Sequence, residues 1–273
     1  FARTPRVLSA NPNQSMAPRL GIVAGGGDVP GRISAACEKA GREVYILGLE
    51  DQAHPDTLDA DAWIRLGEAG RGIELLREAA IEELTVVGRV TRPSLRQLRP
   101  DAWSSRFLAK IGKATLGDDS LLSALAREIE CEGFRLVAPE SILNDLLAQE
   151  NQFGVNAPDQ LALDDIERGI EVACVLGALD VGQAVIVQQG HVLGVEAAEG
   201  TDELIERCGR LRLDGDGGVL VKIAKPGQDR RIDLPTVGPD TVEYAAAAGL
   251  RGIAIEAGGA LVVDRDAVVR VAD

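Results

Sequence analysis

From Arg19 onward, short apolar runs alternate with stretches of helical spacing, and this alternation is the tightest constraint on what the chain can fold into. Leu20–Ala24, Val44–Leu49, Ala62–Leu66 and Leu84–Val90 have the length and composition of buried strands. Between them, Val29–Ala40 (Ile33, Ala36, Cys37) and Ile73–Ile81 carry apolar residues at helical spacing, and Gly41 supplies a stop for the first. Strands separated by helices pair in parallel, because the chain must cross a face of the sheet before it can lay down the next strand. A helix over Gly117–Glu132, with Asp118 and Asp119 favouring its start and Gly133 ending it, and a strand over Phe134–Ala138 complete this half.

The second half has a different rhythm. Residues 143–162 are polar and irregular and read as a linker. A helix near Asp164–Leu179 follows, then strands at Ala184–Gln188 and Val192–Glu196, a helix over Asp202–Leu211 and a strand at Val219–Ala224. Asp240–Ala248 reads as a helix, Ile253–Glu256 and Ala260–Val263 as short strands, and a helical turn ends the chain. The expected class is α/β: an N-terminal Rossmann-like parallel-sheet domain at 17–142 and, beyond the linker, a C-terminal catalytic α/β domain with a mixed sheet at 163–273. Residues 1–16, which include the single methionine Met16, read as a leader or disordered segment outside the fold. A chain of 273 residues can hold two cores, and with 3% aromatics those cores are built from Ala, Val, Leu and Ile.

Several function classes are excluded. A net charge of −14 speaks against nucleic acid as a partner, which needs a basic footprint. It leaves an anionic small molecule open, because a local site can oppose the global sign. Cys37, Cys131, Cys174 and Cys208 are far apart, and with only His54 and His191 beside them no zinc spacing exists; they read as reduced thiols. No run of 18 apolar residues is present. The turn GGGDVP places Gly25 and Gly27 like a dinucleotide fingerprint, but Pro30 stands where the third glycine belongs, which weakens an NAD-linked reading. His191 follows Gly190 at a hairpin, so general-base work falls more naturally to carboxylates.

Three places join an expected helix start to glycine and acid: Gly25–Pro30, Gly117–Leu122 and Glu196–Asp202. Backbone N–H groups there attract phosphate oxygens, although Asp28, Asp118, Asp119 and Asp202 serve equally well as caps. A fourth place, KIAKPGQDRRIDLPTVGPDT over 222–241, follows a strand and is stiffened by Pro226, Pro235 and Pro239. Lys222, Lys225, Arg230 and Arg231 can offset phosphate charge there, and Asp229 and Asp233 can bind Mg²⁺ or orient water; local chemistry does not choose between the two acids. Separately, 89–116 holds seven Lys/Arg against one acid, with Trp103, Phe107 and Ile111 four apart on one helix face. That face either meets an anionic membrane or acyl chain, or packs on the first core.

These segments together resemble a known family, the UDP-2,3-diacylglucosamine pyrophosphatases of lipid A synthesis of the alphaproteobacterial type that lacks a metallophosphoesterase fold. The resemblance spans about residues 19–273 and rests on GIVAGGGDVP, GRVTRP, GDDSLL, DVGQ, VEAAEGTD, AKPGQDRRIDLPTVGPDT and LVVDRDAV in that order. It implies two domains holding substrate between them and hydrolysis to UMP and 2,3-diacylglucosamine 1-phosphate, with Mg²⁺ or Mn²⁺ as cofactor. Carried over on R-x-D-x-P-T, it singles out Asp233 as the essential carboxylate. The expected site then has Asp233, Glu196 and Lys225 as catalytic residues. Gly25, Gly26, Gly27, Asp28, Gly200, Thr201, Asp202, Gln228 and Thr236 bind substrate, and Asp233, Glu199 and Asp202 bind the metal. The expected partners are a lipid-linked UDP-sugar and an anionic membrane surface, with room for a homodimer, and the expected place is the cytoplasm, peripheral to the inner membrane. A non-catalytic nucleotide-sugar binding protein is the alternative.

Overall fold

The computed structural model describes residues 17–91, 98–111 and 118–273. The expected leader at 1–16, the basic residues Arg92, Arg96 and Lys113, the helix-start residue Gly117 and the side chains of Asp118 and Asp119 fall outside that description. In the N-terminal region, strands β1 (Leu20–Ala24), β2 (Val44–Leu49), β3 (Ala62–Ile64), β4 (Glu83–Val87) and β5 (Arg135–Leu136) form one parallel sheet in the order β3-β2-β1-β4-β5. Helices α1 (Val29–Lys39), α2 (Ala69–Glu78), α3 (Ala102–Ile111) and α4 (Asp118–Cys131) accompany it. Strand alternation explains the two cores. Leu20, Ile22 and Ala24 pack with Val29, Ile33 and Cys37 of α1. On the opposite face, Leu47, Leu49 and Leu84 pack with Ile73 and Leu76 of α2 and Ala126 and Ile129 of α4. Because β2 and β4 lie on either side of β1, the carboxyl ends of β1 and β4 meet at a topological switch point, the usual crevice for a ligand in an open α/β sheet.

The C-terminal part contains a mixed sheet, order β10-β8-β6-β7, built from β6 (Ala184–Gln188), β7 (His191–Val195), β8 (Val219–Lys222) and β10 (Gly252–Ile255). Strands β6 and β7 form an antiparallel hairpin through Gln189 and Gly190, both at positive φ. The buried Asp165 carboxylate accepts both turn N–H groups, at 3.0 and 2.7 Å. Helix α5 (Gln160–Ala178) covers one face, where Ala162 meets Val219 and Val221 and Ala173 meets Val185 and Val187. Helix α6 (Thr201–Gly209) covers the other, where Leu204, Ile205 and Cys208 meet Ala184, Ile186 and Leu220.

A small parallel pair, β9 (Thr236–Val237) with β11 (Leu261–Val262), is flanked by α7 (Pro239–Ala247) and α8 (Arg265–Ala272). Strand β9 lies in what the sequence presents as loop. It has two residues, too few for a periodic signal. The expected strand at 134–138 shrinks to Arg135–Leu136 for want of a longer neighbour register on β4. Within the segment read as a linker, residues 146–148 run beside β11. Val262 N–H donates to Leu146 at 2.7 Å and Ala148 N–H to Ala260 at 2.8 Å. Leu146, Leu234 and Leu261 enter the β1–α1 core, so one apolar cluster spans both parts of the molecule.

Candidate active site

Strand periodicity sets the centre of the site. On β8, Leu220 faces α6, and the two-residue repeat puts Lys222 on the same side. Lys222 is only 8% exposed, and its ammonium donates to the Thr236 carbonyl at 3.0 Å. Burial pushes that ammonium below its ordinary value; the facing carboxylates of Glu196, Asp202 and Asp233 raise it, and Arg89 lowers it. Acids from three segments thus lie within electrostatic reach of Lys222.

Glu196 follows β7 and is buried. Its carboxylate accepts the Thr201 hydroxyl at 2.6 Å and the Gln183 N–H at 3.0 Å. Gly182 makes the approach feasible, since a Cβ there would lie 2.1 Å from the Glu196 carbonyl oxygen. Gly200 starts α6 at φ +82, with no side-chain cap. Asp202 therefore does not cap the helix; it lies in the first turn, with its carboxylate 4.0 Å from the Arg89 guanidinium. Arg89 also pairs through its backbone with Gly26, N–H to carbonyl in both directions at 2.8 and 2.9 Å. Through this one residue the glycine turn after β1 is joined to the 196–202 turn.

The glycine turn itself differs from the expectation. The Gly25 N–H donates to Val87 and the Gly26 N–H to Arg89, so neither points at a ligand. A Cβ at Gly25 would sit 2.5 Å from the Arg89 carbonyl, and one at Gly26 2.7 Å from that of Gln52. Both glycines exist to let backbones approach. Gly27, at φ +91 with open space around it, and the exposed Asp28 remain at the mouth; Asp28 makes no side-chain cap.

The 225–236 loop separates its two aspartates. Asp229 is gripped by Arg231 at 2.9 and 2.8 Å, which holds its carboxyl below the usual range, and Arg231 reaches on to Glu130 of α4. Asp233 instead takes the amide of the buried Gln228 at 2.6 Å. The other end of that amide accepts the Lys225 N–H at 2.9 Å, so Gln228 ties Asp233 to the start of the loop. Lys225 is not brought to the carboxylates. Its ammonium pairs with Asp180 at 2.7 Å, beyond the end of α5. Glu199 is likewise drawn off, to Arg207 at 2.7 Å; its carboxyl is lowered by its own backbone N–H and by that arginine. The Thr236 hydroxyl turns back to Leu234, and its contribution to the centre is the carbonyl that holds Lys222.

Of the expected site residues, Thr201 is joined to Glu196, Gln228 to Asp233, and Thr236 through its carbonyl to Lys222, with Gly200 fixing the start of the helix that carries Asp202. Lys222 and Arg89, which the expected site left out, take part through Thr236 and Asp202. Lys222 had a readable signal. It ends a strand that is apolar on both faces, and a lysine there must find buried partners. Arg89 carried none beyond a basic stretch. Among the described residues, no three His, Cys, Asp or Glu side chains form a metal cage. No helix among them is long and apolar enough to cross a membrane. On α3, Trp103 stacks on Phe107 and packs on the first core, so this face turns inward.

The family model for the LpxI N-terminal domain matches residues 19–146, and that for the LpxI C-terminal domain matches residues 149–273. The chain is 39% identical over 264 residues to the UDP-2,3-diacylglucosamine pyrophosphatase LpxI of Caulobacter vibrioides, across 93% of this chain and 94% of that one. With both family models matched in order and a relative alike over nearly its whole length, the chain belongs to the LpxI family.

Proposed function

We propose that this protein hydrolyses the diphosphate of UDP-2,3-diacylglucosamine to UMP and 2,3-diacylglucosamine 1-phosphate. The observation that carries the reading is that Asp233 is held by the buried Gln228 amide at 2.6 Å, in a chain 39% identical to a relative bearing that name. Water adds to one phosphorus, the bridging P–O bond breaks, and the two phosphate products leave with the water's protons shared between them and solvent. Asp233 orients the attacking water, and the Gln228 amide keeps its carboxylate in one rotamer. Glu196, locked by Thr201 and Gln183, holds the start of α6, whose first N–H groups face the diphosphate. Lys225, paired with Asp180, is given no step in this reading.

We extend the proposal to a divalent cation, Mg²⁺ or Mn²⁺. Mg²⁺ needs only one or two protein carboxylates when a diphosphate and water supply its other oxygens, and Asp233, held in place by the Gln228 amide, could be one of them. Glu199 is not, being paired with Arg207. When bound, such an ion neutralises charge on the phosphoryl oxygens. The diacylated substrate implies peripheral contact with an anionic membrane surface. A groove of about 470 Å³ beside Gln228, lined by Ile166, Ile170, Ile223, Ala254 and Ile255, offers apolar cover, where each CH₂ buried is worth about 0.8 kcal/mol.

The test is UMP release from UDP-2,3-diacylglucosamine by the purified chain, with Mg²⁺, with EDTA, and with Mg²⁺ restored. We expect turnover that EDTA abolishes and Mg²⁺ recovers, and Asp233→Asn should lower it by about 10²–10⁴-fold. Binding without UMP release would favour a non-catalytic nucleotide-sugar binding protein. Turnover indifferent to EDTA would remove the cation alone.

A further inference from the structure

The motif DVGQ opens on Asp180, just past the end of α5, and three segments of the chain meet at that side chain. The helix closes with the Asp180 N–H donating to Gly177 at 3.0 Å and the Val181 N–H to Leu176 at 3.1 Å, and Asp180 stands at φ 53. Glycine is the usual residue at that left-handed position. An aspartate there keeps a side chain, and this one joins two other segments. One oxygen accepts from the Lys225 ammonium at 2.7 Å, and the other from the Ser120 N–H in the first turn of α4, within GDDSLL, at 3.4 Å. The ion pair is mostly out of water, with side chains 9% and 20% exposed, so it is not screened and loosely held as a surface pair would be. Its seat is tight: a Cβ on Gly177 would lie 2.9 Å from Pro226 and 3.3 Å from the Lys225 backbone. The placed Lys225 backbone in turn selects the orientation of Gln228. A backbone N–H can only donate, so it takes the oxygen of that amide, at 2.9 Å, and leaves the NH₂ for the Asp233 carboxylate, at 2.6 Å. An amide turned the other way would set oxygen against oxygen. The same loop is tied to α4 again through Arg231 and Glu130.

We infer that Asp180 is a positioning residue of the hydrolytic site: from the end of α5, against the first turn of α4, it holds Lys225 so that the Gln228 amide presents its NH₂ to Asp233. Asp180 acts through Lys225 and Gln228 and moves no proton. This role rests on the proposed diphosphate hydrolysis. Without the ion pair, the start of the loop loses its anchor, the amide turns more freely and the Asp233 carboxylate leaves its productive rotamer for part of the time. A substrate held by its nucleotide and acyl ends still binds. The loss therefore falls on kcat and spares KM.

The experiment measures UMP release by the full chain, with the thermal midpoint recorded for each variant and assays kept below it. Asp180→Asn keeps the shape, suits a left-handed backbone and removes the charge. It should lower kcat by about tenfold or more with KM within about threefold. Lys225→Met should do the same. The double variant should fall no more than about threefold below the lower single, because both residues act through one pair. Asp180→Asn with kcat within about threefold of wild type, a KM that rises by about tenfold, or a double variant whose losses multiply overturns the role. A loss confined to Lys225→Met would make that lysine a substrate contact and overturns it too. If Asp180→Asn does not fold, Asp180→Gly, whose backbone suits the helix end, is judged by the same limits. UMP from the wild type with unaffected variants defeats the role alone. No UMP from the wild type removes it together with the proposed function.

Discussion

At Gly25 and Gly26 the loop after β1 touches the loop after β4. A glycine-rich turn between strand and helix suggests backbone groups turned toward phosphate. Here the N–H groups of Gly25 and Gly26 bind Val87 and Arg89, and the absent Cβ is what allows two loops to touch. Gly25→Ala places a carbon 2.5 Å from the Arg89 carbonyl, so backbone must move. Overpacking of this kind costs about 1–3 kcal/mol, and we expect urea unfolding to show such a loss. Because Arg89 is displaced with it, UMP release should fall too. Gly27→Ala meets no atom but keeps φ +91, so its cost is the left-handed backbone alone, about 1–2 kcal/mol. The same lesson holds for Asp229 and Asp233, four residues apart in one loop. Their local chemistry does not distinguish them; Arg231 pairs with one, and the Gln228 amide holds the other.

Among the elements, α3 was legible as a helix with an apolar face, while the destination of that face was not. Trp103 packs inward and its indole N–H donates to Glu132, just past the end of α4, at 2.6 Å. This bond, followed by Arg77, holds the Glu132 carboxyl below its ordinary value. A depressed carboxyl contributes stability that is present above the unfolded-state pKa and lost as pH falls through the folded one. Trp103→Phe, which keeps the ring and removes the donor, should therefore destabilise by about 1–2 kcal/mol near neutrality. The difference from wild type should shrink once pH drops below the normal glutamate value of about 4.3, as denaturant midpoints taken across pH will show. A difference that is flat with pH would mean the ring alone matters. Period identifies a helix because it is local; it cannot say whether core or membrane lies opposite.

At the level of the whole molecule, the apolar cluster around Leu146, Leu234 and Leu261 joins the N-terminal sheet to the C-terminal part. Leu146, fully buried, lies in the polar stretch that reads as a linker. Leu146→Ala should cost about 2–5 kcal/mol, and calorimetry of the wild type should show one cooperative transition. Two separated transitions would mean the halves unfold independently despite the shared cluster. The sequence by itself determined the parallel order of strand and helix in the first half, the hairpin and helices of the second, and the family, because each is written in local period, turn chemistry or ordered motifs. Asp233 was marked by its motif. Only the tertiary structure decided that Lys222 is buried against the Thr236 carbonyl while Lys225 pairs with Asp180, that Glu199 pairs with Arg207, and that Arg89 ties the two turns together. The physical reason is that charge pairing acts through space over a few ångströms. Which cation meets which carboxylate is settled when strand ends far apart in the chain are brought side by side.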